Sequence, residues 1–219
     1  VTVVEGFQRH DLAWLGPRWR QRLLRPLPAQ DEATVAGWVE RGRPAVVCRR
    51  GEGAPAGSVA LGLALPGPGR RVGLLVEAGA IVRRAGPLRL REAAASAPPA
   101  WRAPLAELDM ALAAVGTSAG VYGSLAWQHL VGERYLRATS DVDLLLGLLG
   151  PASPWAGLEV LAARDQGPVR LDGELVLEGG RAMAWRELLL RPSRVLVKSV
   201  DGVALLPLAE ALGPHLEAA

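Results

Sequence analysis

The apolar and polar positions of this chain fall into two textures. Up to about residue 90, short apolar runs follow one another, broken by glycine and proline. "RPAVVCRR" (43–50), "SVALGLAL" (58–65), "RRVGLLV" (70–76) and "AIVRR" (80–84) predict strands, with "LPGPGRR" as a turn. A helix is expected over 31–41, with Asp31 as its N-cap and Val35, Trp38 and Val39 on one face.

The second texture begins near residue 98, where "APPAW" predicts a hinge, because consecutive prolines stop regular structure. "LAELDMALAAVG" (105–116) reads as a helix stopped by glycine, "GVY" as a strand and "SLAWQHLVG" as a second helix. "DVDLLLGL" is a strand, and 153–167 a helix opened by Ser153 and Pro154. "VRLDGELVLEGGRAMAWREL" predicts two strands joined at Gly179-Gly180, with "RVLVKSV" and "VALLPL" as further strands. The expectation is an α+β chain: a strand-rich domain over 1–97, then a domain with a mixed sheet over 98–219.

One polar pair breaks the apolar pattern. Asp141 and Asp143 alternate with Val142 and Leu144, so in a strand both carboxylates leave the same face while the aliphatic residues enter the core. They are about 6 to 7 Å apart along the backbone by strand rise. Two bare carboxylates so placed repel, and one is driven to protonate. A divalent cation removes the conflict, and Mg2+ suits carboxylate oxygens shared with substrate phosphates. A bland reading, aspartates capping a turn, stands beside this one.

Composition narrows the rest. Half of the 219 residues are apolar, enough for a sizeable core. The single cysteine, Cys48, forms no intrachain disulfide, and no signal-peptide pattern is read at the N-terminus, so a cytoplasmic protein is expected. Residues 110–132 carry no Asp, Glu, Lys or Arg, but their glycines and polar residues predict helix, strand and helix rather than a membrane span. The net charge is +3 and Lys198 is the one lysine. Arginine richness of this kind is weak evidence for nucleic acid, though arginine forks match phosphate oxygens.

Upstream of the aspartates stands Gly123-Ser124, between an expected strand and a helix. Such a turn offers N–H groups and a hydroxyl to an anion; Ser124 as a simple N-cap is the competing reading. A strand ending in Gly-Ser, a helix and an Asp-x-Asp strand together resemble the nucleotidyltransferase superfamily of the DNA polymerase β type. Sixteen residues separate Ser124 from Asp141, more than is usual there, and the excess lies in "GERYLRATS". The longer stretch "YGSLAWQHLVGERYLRATSDVDLLL" (122–146) closely resembles a narrower family, the malonate decarboxylase holo-acyl-carrier-protein synthases, or phosphoribosyl-dephospho-coenzyme A transferases. "RHDLAWL" (9–15), "RPAVVCRR", "RLDGELVL", "AWREL" and "VLVKS" extend the resemblance over most of the chain.

The resemblance implies transfer of a phosphoribosyl-dephospho-coenzyme A group from its triphosphate to a serine of the malonate decarboxylase acyl carrier protein, releasing pyrophosphate. It implies a polymerase-β-like catalytic domain and one or two Mg2+ on Asp141, Asp143 and a third carboxylate. Asp172 is the first candidate for that third position, with Glu174 and Asp165 as competitors. Gly123, Ser124, Arg134, Arg137 and Lys198 are the expected phosphate ligands; for the last three a surface role is the alternative. The partners implied are the carrier protein and triphosphoribosyl-dephospho-coenzyme A, with no nucleic acid and no membrane. Two rivals remain: another nucleotidyltransferase acting on a small molecule, protein or RNA, and a non-enzymatic scaffold for carrier protein or RNA. His10 is read as a substrate or structural residue, His129 as structural, Trp127 as core, and Cys48 as an inert residue in an apolar strand. Arg49 and Arg50 are expected to face substrate phosphates or an acidic carrier surface.

Overall fold

In a computed structural model, which describes residues 6–67, 69–149 and 152–216, the contacts divide the chain into two units. The first runs to Gly86 and includes Ser199–Gly202; the second holds Pro87–Lys198 and the chain from Val203. The division falls at Gly86/Pro87, upstream of the expected 97/98. Residues 88 and 89 form a strand in the second unit's sheet, which draws this segment into that unit.

The first unit contains β1 (Leu12–Leu15), α1 (Ala29–Glu40), β2 (Ala45–Val47), β3 (Ser58–Ala64), β4 (Arg71–Glu77) and β5 (Ile81–Ala85). Its strands form a five-stranded sheet in the order β4-β3-β2-β1-β5, all pairs antiparallel. Trp19, Val35, Trp38, Leu61, Leu63 and Val76 are among its buried side chains. Pro28, not Asp31, caps α1; Asp31 lies in the first turn and pairs with Arg70. Cys48 lies just past β2 and is exposed, so it is not in the apolar strand expected for it.

The second unit contains β6 (Leu88–Arg89), α2 (Leu90–Ala93), α3 (Pro99–Ala114), β7 (Thr117–Tyr122), α4 (Gly123–Val131), β8 (Val142–Leu148) and α5 (Pro154–Arg164). It continues with β9 (Leu171–Leu177), β10 (Arg181–Ala184), α6 (Trp185–Leu189), β11 (Arg194–Lys198), β12 (Val203–Pro207) and α7 (Leu208–Leu212). The seven-stranded sheet runs β12-β11-β10-β9-β8-β7-β6. Among the described residues only β8 and β9 pair in parallel, with α5 in the connection between them, so the sheet is mixed, as the sequence predicted. Among the described residues no helix is long and apolar enough to cross a membrane. The uncharged run 110–132 is divided among α3, β7 and α4.

Two further local expectations changed. The Pro98-Pro99 pair opens α3 instead of forming a hinge, with Pro98 as N-cap and Pro99 as the first helical residue. Proline fits there because the missing N–H has no partner within the helix anyway. "AWREL" is mostly the short helix α6, not strand, with Trp185 and Leu188 buried one turn apart. Ser153 does cap α5, its Oγ accepting from the N–H of Trp155.

The core of the second unit fixes the orientation of β8. Val142, Leu144 and Leu146 are fully buried on one face, each burial contributing roughly 1.5–3 kcal/mol. A one-residue slip of β8 would expose all three, so the register, and with it the direction of Asp143, is strongly specified.

Candidate active site

The parallel pairing of β8 and β9 sets Asp143 opposite Asp172. Neighbouring strands lie about 4.8 Å apart, so these two residues sit side by side. Asp141, two positions before Asp143, precedes the first residue of β8 and is half-exposed. Asp172 is exposed on the same strand whose Leu171, Leu175 and Leu177 enter the core. Between Asp172 and Glu174, Gly173 has φ +146°, and a Cβ there would stand 2.1 Å from the carbonyl oxygen of Leu144. Only glycine lets β9 approach β8 this closely.

The β7–α4 turn meets the same place. Tyr122 pairs with Asp143 across the antiparallel β7–β8 ladder. Gly123 follows with φ +67°, and a Cβ on it would stand 1.8 Å from Asp143 Oδ2 and 2.7 Å from Cγ. The glycine backbone therefore lies directly against the carboxylate. Ser124 is in the first turn of α4 and is not its N-cap. That position belongs to Tyr122, which makes no side-chain capping bond. The capping role weighed for Ser124 is thus overturned by the helix starting one residue earlier.

Glu174 and Asp165, the competing carboxylates, are both held by cations. Glu174 is buried and accepts from Lys198 Nζ at 2.8 Å. Asp165 accepts two bonds of 2.6 Å from the guanidinium of Arg186, which also donates to the carbonyl of Leu171 at 2.8 Å. The hydrogen bonds to Arg186 hold the Asp165 carboxyl below its usual range. The Arg186 guanidinium is raised in turn, first by its bond to Asp165, with the charges of Asp172 and Asp141 adding to it. Arg170 approaches Asp141 at 3.9 Å. Arg170 and Arg186 are functional candidates that the sequence reading missed. "AWREL" pointed to the segment, but the partner of Arg186 lies 21 positions away and no local pattern reveals it.

The donors Asp141, Asp143 and Asp172 are all hard carboxylate oxygens, the chemistry Mg2+ takes. The backbone aligns their strands, but among the described residues no three His, Cys, Asp or Glu side chains already converge as a metal cluster.

The remaining candidates lie elsewhere. Arg134 and Arg137 are carried by the loop after α4 and line a cavity of about 640 Å³ with Pro98, Trp101 and Gln128; none of the three aspartates lines it. Trp127 is half-buried and stacks on Tyr135, with centroids 6.4 Å apart, rather than entering the core. His129 bonds Ser96 at 3.0 Å. In the first unit, His10 sits in a turn with φ +71° beside Arg9, and buried Asp11 pairs with Arg84 at 2.8 Å. Arg49 is exposed, and Arg50 pairs with Asp201.

Comparison with known proteins places these residues in a family. The profile described as phosphoribosyl-dephospho-CoA transferase MdcG C-terminal domain matches residues 89–209, and its N-terminal counterpart matches residues 8–87. A phosphoribosyl-dephospho-CoA transferase of Xanthomonas campestris pv. campestris is 38% identical over 202 residues, 91% of this chain and 93% of that protein. One of Bradyrhizobium diazoefficiens is 38% identical over 90% of this chain and 89% of its own length. One of Pseudomonas putida is 35% identical over 90% and 91%. No solved structure matches the chain.

Proposed function

This chain belongs to the phosphoribosyl-dephospho-CoA transferase family, and from that premise we propose that it transfers a phosphoribosyl-dephospho-CoA group to a carrier-protein serine. The observation that carries the reading is the placement of Asp143: opposite Asp172 on β9 and against Gly123 at the start of α4. The acceptor we propose is the acyl carrier protein of malonate decarboxylase, and the donor is triphosphoribosyl-dephospho-CoA. We read the second unit as a nucleotidyltransferase core of the polymerase β type.

In this mechanism the serine hydroxyl oxygen forms a bond to the first phosphorus of the triphosphate. The bond from that phosphorus to the oxygen bridging to the second phosphate breaks, and pyrophosphate leaves with the electron pair. Asp172, exposed beside Asp143, takes the hydroxyl proton. The N-terminal end of α4, with Gly123 and the Ser124 hydroxyl, binds the outer phosphates, where the helix dipole favours negative charge. Asp141, Asp143 and Asp172 would hold Mg2+, which when bound supplies neutralisation of the triphosphate and of the departing pyrophosphate. Arg170 and Arg186 offset the negative charge of the carboxylates. Lys198 acts as counter-ion to Glu174 and leaves Asp172 as the third ligand.

The test is incubation with apo carrier protein, triphosphoribosyl-dephospho-CoA and Mg2+, followed by the intact mass of the carrier. The expected result is a gain equal to one phosphoribosyl-dephospho-CoA group, lost with Asp143→Asn in a protein that melts like the wild type. An unmodified carrier with the folded wild-type enzyme would refute the assignment.

A further inference from the structure

We infer that the cavity walled by Trp101, Arg134 and Arg137 is a nucleotide-diphosphate subsite, which holds the adenine and diphosphate of the dephospho-CoA portion away from the triphosphate. The inference rests on the proposed function for the identity of the nucleotide, but the site itself is argued from its own residues.

The cavity is an open cleft of about 640 Å³, a volume within the range of small-molecule sites of roughly 300–1,000 Å³. Its wall combines a half-buried indole, Trp101, with two arginines from one loop, and among the described residues Glu133 is the one carboxylate in its lining. An aromatic face takes any base by stacking, and guanidinium forks take phosphate oxygens in pairs. In a nucleoside diphosphate the base and the diphosphate stand on either side of a single ribose. A site with one aromatic wall and a nearby pair of cations matches that division.

The loop is built rather than merely exposed. Gln128 Oε1 accepts from the N–H groups of both Tyr135 and Leu136 at 3.1 Å, and its Nε2 donates to the carbonyl of Ser96 at 2.6 Å. Leu136 is buried and Tyr135 stacks on Trp127. Beyond them, the Ser140 hydroxyl accepts from the N–H of Arg137 at 3.0 Å. One glutamine thus latches the arginine loop to the segment that leads into the Trp101 helix. Latching of this kind orders the backbone that carries the two exposed arginines before any ligand arrives. It also accounts for the extra residues between Ser124 and Asp141, which form this loop.

Position in the chain supports two subsites rather than one. Arg137 precedes Asp141 by four residues, so the backbones of these two lie at most about 14 Å apart. The donor carries two anionic groups, a triphosphate and a diphosphate, with two riboses between them. The carboxylate site serves the first, and the arginine cavity serves the second.

The experiment measures binding of free 3′-dephospho-CoA, of tripolyphosphate and of pantetheine by calorimetric titration. Wild-type protein, an Arg134→Ala/Arg137→Ala double variant and Gln128→Ala are compared, each checked by thermal melting. The expected result is dephospho-CoA binding to the wild type, weakened about tenfold or more in the double variant, since losing one charge-assisted bond is worth about that factor. Gln128→Ala should weaken dephospho-CoA in the same direction, tripolyphosphate binding should stay within about twofold, and pantetheine should not bind. Absence of dephospho-CoA binding to the wild type, or equal binding to the folded double variant, overturns the inference, as does pantetheine competing with dephospho-CoA on the wild type. The two readings fail separately. Dephospho-CoA binding that depends on the arginines, without group transfer to carrier, removes the proposed function and keeps the cavity. Transfer with an unchanged KM for donor in the double variant does the reverse.

Discussion

Replacing Gly123 with alanine perturbs one methyl group's worth of space and one backbone torsion. The new Cβ would stand 1.8 Å from Asp143 Oδ2 and 3.3 Å from Asp143 Cβ, so the carboxylate must turn away. The φ of +67° adds a conformational cost of about 1–2 kcal/mol for any residue with a side chain. Overpacking adds roughly 1–3 kcal/mol. Gly179 supplies the control: its φ is +73°, and a Cβ added there would meet nothing within 4 Å. Gly179→Ala therefore carries the backbone cost alone. We expect both variants to melt lower, Gly123→Ala more so. Only Gly123→Ala should lose turnover, by about a hundredfold, the scale on which a 1 Å misplacement of a reacting group acts. Saturation kinetics with a mass-spectrometric readout of the carrier, run beside the melts, separates the two effects. Gly123→Ala with turnover close to that of Gly179→Ala would falsify the claim that Asp143 must lie against this glycine.

Asp172→Asn should cut turnover with little change in melting, because the side chain is exposed, whereas Glu174→Gln should destabilise by about 1–3 kcal/mol by leaving the partly buried Lys198 ammonium with a weaker partner; kinetics and melts of the pair decide between the two as third carboxylate. Ser124→Ala should leave stability within about 0.5 kcal/mol, since Tyr122 and not Ser124 occupies the N-cap, and should weaken tripolyphosphate binding; a large drop in melting temperature with unchanged affinity would contradict this. The depressed Asp165 carboxyl favours the folded state above the ordinary carboxylate pKa of about 3.9, and that contribution is lost as pH falls through its lower folded value. Melts below about pH 4 should therefore show a shallower acid slope in Arg186→Met than in the wild type, and identical slopes would remove the linkage.

The alternation of aspartates with Val142 and Leu144 was readable because a half-buried strand writes its faces into the sequence with period two. The turn at Gly123 was readable too, since strand, glycine and helix follow one another without a gap. The start of α4 was not, because Ser124 has the chemistry of a cap and only backbone geometry shows that Tyr122 occupies that place. Arg186 and Lys198 depend on partners distant in sequence, Asp165 and Glu174, and periodicity carries no such information. The Pro98-Pro99 pair was misread as a hinge because proline both ends one element and begins the next. Gln128 lay inside the quoted motif, but its latch on Tyr135 and Leu136 appears only when the loop folds back on α4.

The central claim is that carboxylates on β8 and β9 transfer the prosthetic group to a serine, and peptide mapping of the reacted carrier tests it most directly. With wild-type enzyme, Mg2+ and donor, the account predicts one modified serine per carrier and one pyrophosphate released for each, with both signals gone in Asp143→Asn. Modification at another residue type, modification without pyrophosphate, or undiminished modification by folded Asp143→Asn would contradict it.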